Sequence, residues 1–131
     1  MAQTILVNKL DVYCFGAQER PQATSALTNY YVPSSRRNAA CDAFFHHEGR
    51  GVGLQMTLSE THSLNAEGLN DLYNRLQYPG GHTTQHWYVV VIRKGCQLKK
   101  FESRPNDAQL AKFRFFTMEL ELPTGMRPFL P

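Results

Sequence analysis

The chain has 131 residues, of which 42% are hydrophobic, 11% aromatic and 19% charged. This composition excludes an intrinsically disordered chain and predicts a single globular domain over residues 1–131. The formal net charge of +3 and the isoelectric point near 8.9 permit contact with nucleic acid or another acidic surface but do not require it. No apolar run approaches the roughly 18 residues that span a bilayer, so we predict no membrane segment.

The cysteines indicate a reducing compartment. Cys14, Cys41 and Cys96 are odd in number and form no C-x-x-C pair, which argues against a disulfide framework. The N-terminal residues lack the long apolar core of a secretion signal. We therefore expect an intracellular protein, although an address segment or a further domain upstream is an open alternative.

Short strands and loops are predicted in the first quarter of the chain. Thr4–Val7 and Val12–Phe15 are rich in β-branched and apolar residues, which is typical of strands. Gly16–Ser25 has the composition of a loop. Thr28–Val32 follows as an extended segment that is halted by Pro33.

The centre of the chain predicts two strands joined by a glycine-containing hairpin. Ala43–His46 is the first strand, and Gly53–Ser59 alternates apolar and polar residues as a half-buried strand does. The connecting residues His46–Gly51 are polar and contain two glycines, which suits a short connection. The two strands should therefore lie side by side.

A helix and a buried strand follow. Leu64–Leu76 carries one apolar stripe at helical spacing, with Ser63 or Asn65 as its cap and Glu67 in its first turn. Trp87–Ile92 is apolar on both faces, as a central strand covered on each side would be.

The last third predicts peripheral elements. Gln97–Phe101 indicates a weaker partner strand near an edge of the sheet. Asp107–Phe116 has apolar residues at helical spacing after a cap at Asn106 or Asp107, and Met118–Leu122 alternates as a last edge strand. The fold class predicted from all elements is α+β, with a mixed, partly antiparallel central sheet flanked by helices.

Several familiar sites are disfavoured by the spacing of their residues. His46 and His47 are adjacent, so in a strand they point to opposite faces and cannot easily share a metal ion. Cys41 adjoins a predicted strand, where a buried thiol is commonly inert. Gly49–Gly53 is rich in glycine but lacks the lysine and the following helix of a phosphate-binding loop.

One constellation of residues remains. Asp42 stands at the start of a strand, and Gln55 and Thr57 project from the same face of the next strand. An acid and a second oxygen ligand on adjacent strands form the layout of a Mg²⁺-dependent phosphodiesterase site. The alternative interpretation is that Gln55 and Thr57 are only the polar side of a half-exposed strand.

These residues resemble a known family. The chain is similar to the restriction-endonuclease-like (PD-(D/E)XK) domain of the Crinkler and retrotransposon-hot-spot protein group. The residues that carry the similarity are Tyr30–Pro33, Asp42–Phe45, Gly53–Ser59, His62, Gly68–Leu69 and Trp87–Ile92. The resemblance covers a core of about residues 28–101 and implies the restriction-endonuclease-like fold. It also implies a modular effector that acts inside host cells, frequently in the nucleus.

The resemblance also assigns roles to the three residues. Asp42 matches the metal-binding acid, Gln55 falls at the second carboxylate position, and Thr57 falls at the catalytic lysine position. Both of the latter depart from the family, because neither carries the charge that stabilises the transition state. We therefore predict absent or weak Mg²⁺-dependent nuclease activity. Arg93 or Lys94 is a candidate to replace the missing lysine.

Three functions follow as hypotheses. The first is a degenerate nuclease-like module that binds nucleic acid or a host protein, with Arg93, Lys94, Lys99 and Lys100 as the nucleic-acid-binding residues. The second is an active Mg²⁺-dependent DNA or RNA endonuclease. The third is a protein-interaction domain that binds through exposed aromatic residues: Tyr30, Tyr31, Phe44 and Phe45. A solvated basic face without a partner is the alternative explanation of the lysines and arginines.

Overall fold

A computed structural model describes residues 9–34, 41–57, 61–62, 66–78, 85–93, 100–101 and 106–120. The elements within these residues are, in chain order, β1 (Asp11–Phe15), a 3₁₀ turn (Ala23–Ser25), β2 (Asn29–Pro33), β3 (Ala43–His47), β4 (Arg50–Met56), β5 (Thr61–His62), α1 (Ala66–Leu76), β6 (His86–Arg93), β7 (Lys100–Phe101), α2 (Asp107–Lys112) and β8 (Phe113–Leu120). The candidate strand Thr4–Val7 and the candidate caps Ser63 and Asn65 lie outside the described residues.

A mixed six-stranded sheet organises the fold, in the order β1-β2-β3-β4-β6-β8. Strands β2, β3 and β4 form an antiparallel meander, whereas β4, β6 and β8 run parallel to one another, and β1 runs parallel to β2. The chain passes through α1 between β4 and β6, and through α2 between β6 and β8. The predicted α+β class and the mixed, partly antiparallel sheet are confirmed.

The hairpin between β3 and β4 has the two-residue turn that its sequence permits. Glu48 and Gly49 have φ values of 50° and 78°, and the pair His47 and Arg50 closes the ladder on either side of them. Two consecutive positive φ values make the turn whose twist matches that of the strands. The turn fixes the register of the two strands that carry Asp42 and Gln55.

Helix α1 packs on one face of the sheet through its predicted apolar stripe. Leu69, Leu72 and Leu76 are all buried in the core. The helix approaches β4 closely because this strand presents Gly51 and Gly53 to it. A Cβ atom on Gly51 would lie 2.7 Å from the Leu76 Cβ, and one on Gly53 would lie 2.7 Å from the Leu72 Cδ2. The two glycines therefore make room for α1.

The C-terminal elements differ from two predictions. Helix α2 ends at Lys112, and Phe113–Phe116 belong to β8, because Phe113 and Phe115 alternate toward the core instead of following a helical face. Lys100–Phe101 forms β7, which pairs with β5 in a separate two-stranded sheet and is no neighbour of β6 within the described residues. Of the two predicted caps of α2, Asn106 and Asp107, the structure has Asn106.

The sheet has two faces with different chemistry. The helix face packs against α1 and includes Phe44, Gly53 and Tyr88. The outer face is the opposite one, and alternation along the strands assigns its members. They are Val12, Cys14, Tyr30, Val32, Ala43, Phe45, His47, Arg50, Val52, Leu54, Met56, Trp87, Val89, Val91, Arg114, Phe116 and Met118. Neither described helix is both long and apolar enough to cross a membrane.

Candidate functional site

The pairing of β3 with β4 places Asp42 beside the end of β4. The Asp42 backbone N–H donates to the Leu54 carbonyl at 2.7 Å, and the Met56 N–H donates to the Asp42 carboxylate Oδ2 at 2.7 Å. The register pair Ala43 and Leu54 places Asp42 next to Gln55 along the ladder. The sequence therefore located correctly the point at which these two strand segments meet.

The other two residues of the constellation stand at the same end of the sheet. Gln55 is partly exposed, and its Nε2 donates to the Met56 carbonyl at 3.4 Å. The Thr57 N–H donates to the Val91 carbonyl at 3.1 Å, which places Thr57 beside β6. Asp42, Gln55 and Thr57 thus gather around the last residues of β4.

The donors at this end fit a Mg²⁺ centre poorly. Asp42 supplies one carboxylate, one oxygen of which already accepts a backbone hydrogen bond, and Gln55 and Thr57 supply neutral oxygens. Within the parts of the chain that the structure describes, no three His, Cys, Asp or Glu side chains are grouped to hold a metal ion. These donors therefore do not support a metal-dependent reaction at this end of the sheet. Binding of Mg²⁺ by Asp42 and Gln55 stays a prediction.

The charge of Asp42 acts on three neighbouring groups that ionise to anions. Burial, and then the carboxylate of Asp42, raises the pKa of the Cys41 thiol to about 12. The pKa of Tyr30 is raised by the same two causes in the same order. Burial also raises the pKa of Tyr88, with smaller contributions from Cys41 and Asp42. Cys41 is consequently protonated at neutral pH and is unsuited to act as a nucleophile, as its position in the sequence predicted.

The two buried histidines have structural roles. His46 lies on the helix face, where its Nε2 is 2.7 Å from the Leu76 carbonyl and must donate to it. His86 accepts the Gly51 N–H on Nδ1 at 3.0 Å. His47 lies on the outer face and faces Glu48 in the hairpin turn, with Nε2 and Oε2 3.8 Å apart. The prediction that His46 and His47 point to opposite faces is confirmed.

The aromatic residues of the third hypothesis are mostly inside the protein. Tyr31, Phe44 and Phe45 are buried, and Tyr30 is half-buried with its ring centroid 5.6 Å from that of Phe45. The exposure that this hypothesis required is therefore wrong for three of the four residues. Tyr31 and Phe44 stack in the core instead, with rings 5.1 Å apart and nearly parallel, whereas Phe45 is buried on the outer face.

Two of the four predicted nucleic-acid-binding residues lie outside the part of the chain that the structure describes. Lys94 and Lys99 lie outside the described residues. The backbone of Arg93 ends β6 at the same sheet end as Thr57, and that of Lys100 lies in β7. Their part in binding stays a prediction.

A second group of residues, on the outer face, was not predicted. We call Arg50, Trp87, Arg114 and Phe116 the arginine–aromatic cluster. The Arg50 guanidinium lies 4.8 Å from the centre of the Trp87 ring, and that of Arg114 lies 5.2 Å from the centre of Phe116. The two rings are 5.3 Å apart in an edge-to-face arrangement. Each arginine is thus held against an aromatic ring.

The cluster lies far from Asp42 in the sheet. Its members stand near the starting ends of β4, β6 and β8, whereas Asp42 pairs with the last residues of β4. Register explains the assembly, because Trp87 is opposite Val52 on one side and opposite Arg114 on the other. The only signal in the sequence was the alternation around Arg114 and Phe116, which the predicted helix over Asp107–Phe116 obscured.

Comparisons of the chain with protein-family models, with curated proteins and with solved structures found no match.

Proposed function

We propose that the chain is a restriction-endonuclease-like domain that binds nucleic acid and does not cleave it. The observation that carries the proposal is the charge of the outer face. Its described side chains include Arg50 and Arg114 but no carboxylate. Two described acids lie at its margins: Glu48 in the hairpin turn beside His47, and Asp42, whose charge raises the pKa of Tyr30. Arginines that have no carboxylate beside them among the described side chains of this face attract a phosphate backbone.

The end of the sheet that carries Asp42, Gln55 and Thr57 supports binding without cleavage. Asp42 has a structural role there, since its carboxylate accepts the Met56 N–H and so ties the start of β3 to the end of β4. Gln55 cannot supply the second negative charge, and Thr57 cannot supply the positive charge of a lysine. On this proposal, the domain has the strand arrangement of a nuclease but binds its ligand on the outer face and not at Asp42.

The context of this proposal comes from the resemblance. An effector module inside a host cell, frequently in the nucleus, would meet both DNA and RNA. A host protein as the partner is the competing outcome. Acidic proteins would be attracted by the same charge, so the two ligands must be separated by experiment.

The test is a combined binding and cleavage assay with labelled DNA and RNA. We expect retention of the nucleic acid in the presence of EDTA, and no shortening of the strand when Mg²⁺ or Mn²⁺ is added. The variant Asp42→Asn keeps an oxygen that can accept the Met56 hydrogen bond but removes the charge. It should bind as the wild type does.

Two results would overturn the proposal. Absence of any retained nucleic acid at low salt would remove the binding function. Metal-dependent cleavage that Asp42→Asn abolishes would show a working nuclease, and the second hypothesis would replace the first.

A further inference from the structure

We infer that the arginine–aromatic cluster is a stacking platform for the unpaired bases of single-stranded nucleic acid. The inference rests on the proposed function, which concerns nucleic acid in general, and it names both the surface and the form of the ligand. The cluster is the four residues defined above: Arg50, Trp87, Arg114 and Phe116.

The outer face is accessible at the cluster, as it also is at Val12, Met56 and Met118. Phe45 and Val52, in the central strands, are buried, and so is Val91 at the Asp42 end of β6. Trp87 and Phe116 are partly exposed, and Arg114 is exposed. A ligand that approaches the outer face from the β8 side therefore meets aromatic rings and a guanidinium together.

The chemistry of these side chains selects bases over other planar or charged groups. Aromatic rings stack on every base, and a guanidinium plane both stacks on bases and pairs with phosphate oxygens. The bases of a duplex are stacked on one another and are not available to protein rings. Two rings 5.3 Å apart, each carrying an arginine, therefore favour a single strand.

Two donors of the cluster have no acceptor among the described residues. Trp87 Nε1 and Arg50 Nε are shielded from solvent and have no hydrogen-bond acceptor among the described residues. A shielded N–H without an acceptor is costly, and an ordered water or another bound molecule can supply the acceptor. The carbonyl oxygens of bases and the oxygens of phosphates are acceptors of the required kind.

The chain offers a reporter at the site, because Trp87 is its only tryptophan. The experiment titrates the full chain with a single strand of about 12 nucleotides, which is within the usual site sizes of single-strand-binding folds. The same strand annealed to its complement is the comparison. Tryptophan emission and the anisotropy of a label on the strand are recorded together.

We expect the single strand to quench Trp87 emission and to bind more tightly than the duplex. Replacement of Phe116 by Ala should weaken binding roughly 5- to 140-fold, as the loss of one base–aromatic stack does. The matched control is Thr117→Ala, the exposed neighbour in β8 that alternation assigns to the other face. It should bind as the wild type does.

Charge is tested in the same way. Arg114→Gln should weaken binding, whereas Lys9→Gln, which removes an exposed charge next to the opposite edge strand, should not. The midpoint of thermal unfolding of each variant shows whether it has folded. Polyglutamate serves as the acidic polymer without bases, and it should leave Trp87 emission unchanged.

The outcomes separate the inference from the proposed function. Binding of the labelled strand with unchanged Trp87 emission, and with full affinity in Phe116→Ala and Arg114→Gln, would overturn the inference and leave the proposed function standing. Equal affinity for duplex and single strand would overturn it as well. Absence of binding to either form would overturn both.

Discussion

The glycines of β4 allow helix α1 to pack closely on the strand. In the sequence, Gly49–Gly53 is rich in glycine but lacks the lysine and the following helix of a phosphate-binding loop. In the fold, Gly49 makes the hairpin turn with φ 78°, and Gly51 and Gly53 admit α1. The run therefore serves the turn and the packing of the core.

Replacement of Gly51 by Ala should destabilise the protein. Its new Cβ would lie 2.7 Å from the Leu76 Cβ and 2.8 Å from the His86 Nδ1, and neither can withdraw easily. Overpacking of this kind costs about 1–3 kcal/mol, which urea denaturation would measure. Gly53→Ala should cost less, because it meets the movable end of Leu72.

The control for these variants is Gly16→Ala, whose Cβ would meet only the Glu19 Oε1 at 3.9 Å. It should leave the denaturation midpoint nearly unchanged. An equal midpoint for Gly51→Ala and Gly16→Ala would contradict the close packing of α1 on β4.

The buried Cys41 thiol makes the free energy of unfolding of the protein fall at alkaline pH. Its pKa is raised from 9.0 to about 12, so the folded state holds the proton more tightly than the unfolded state. The resulting stabilisation is complete below pH 9 and is lost as the pH rises toward 12. The pKa of Tyr88 is raised as well, and it acts in the same direction. The urea midpoint should fall above pH 9, and less steeply in Cys41→Ala.

The reactivity of the thiols toward a reagent is a second measure of the burial of Cys41. In a Cys96→Ser background, a thiol reagent at neutral pH should modify exposed Cys14 quickly and buried Cys41 only when the protein unfolds. Equal rates for the two in the native protein would contradict the burial of Cys41.

At the scale of elements, the sequence predicted well where one pattern had one explanation. The apolar stripe of α1 and the doubly apolar β6 each allowed a single structure. Phe113 and Phe116 satisfied a helical spacing as well as a strand, so the predicted helix ran past Lys112. A short helix followed at once by a strand leaves no break in hydrophobicity to mark the boundary.

Helix α2 depends on its cap because it is only six residues long. The Asn106 Oδ1 accepts the Gln109 N–H at 2.9 Å, and the Gln109 Oε1 accepts the Asn106 N–H at 2.8 Å. Asn106→Ala should lower the free energy of unfolding by about 1 kcal/mol, measured by chemical denaturation. Asn106→Asp keeps an acceptor and should be nearly neutral. Equal losses in the two variants would show that the capping hydrogen bond has no such role.

At the scale of the molecule, two regions of the sheet have separate roles. The end that carries Asp42, Gln55 and Thr57 was predictable, because antiparallel pairing of two strands joined by a short hairpin fixes which residues meet. The arginine–aromatic cluster was not predictable. Its members come from three strands whose parallel pairing and register depend on helices α1 and α2, and no local pattern encodes that register.

The salt dependence of binding to a labelled single strand, compared between the wild type and Arg114→Gln, tests whether the outer face binds nucleic acid. We expect that the affinity of the wild type falls linearly with salt on logarithmic axes. We also expect that the loss of one phosphate contact lowers the slope by about 0.7 in the variant. An affinity indifferent to salt, or identical slopes for the two proteins, would contradict the claim that the outer face binds nucleic acid through Arg114.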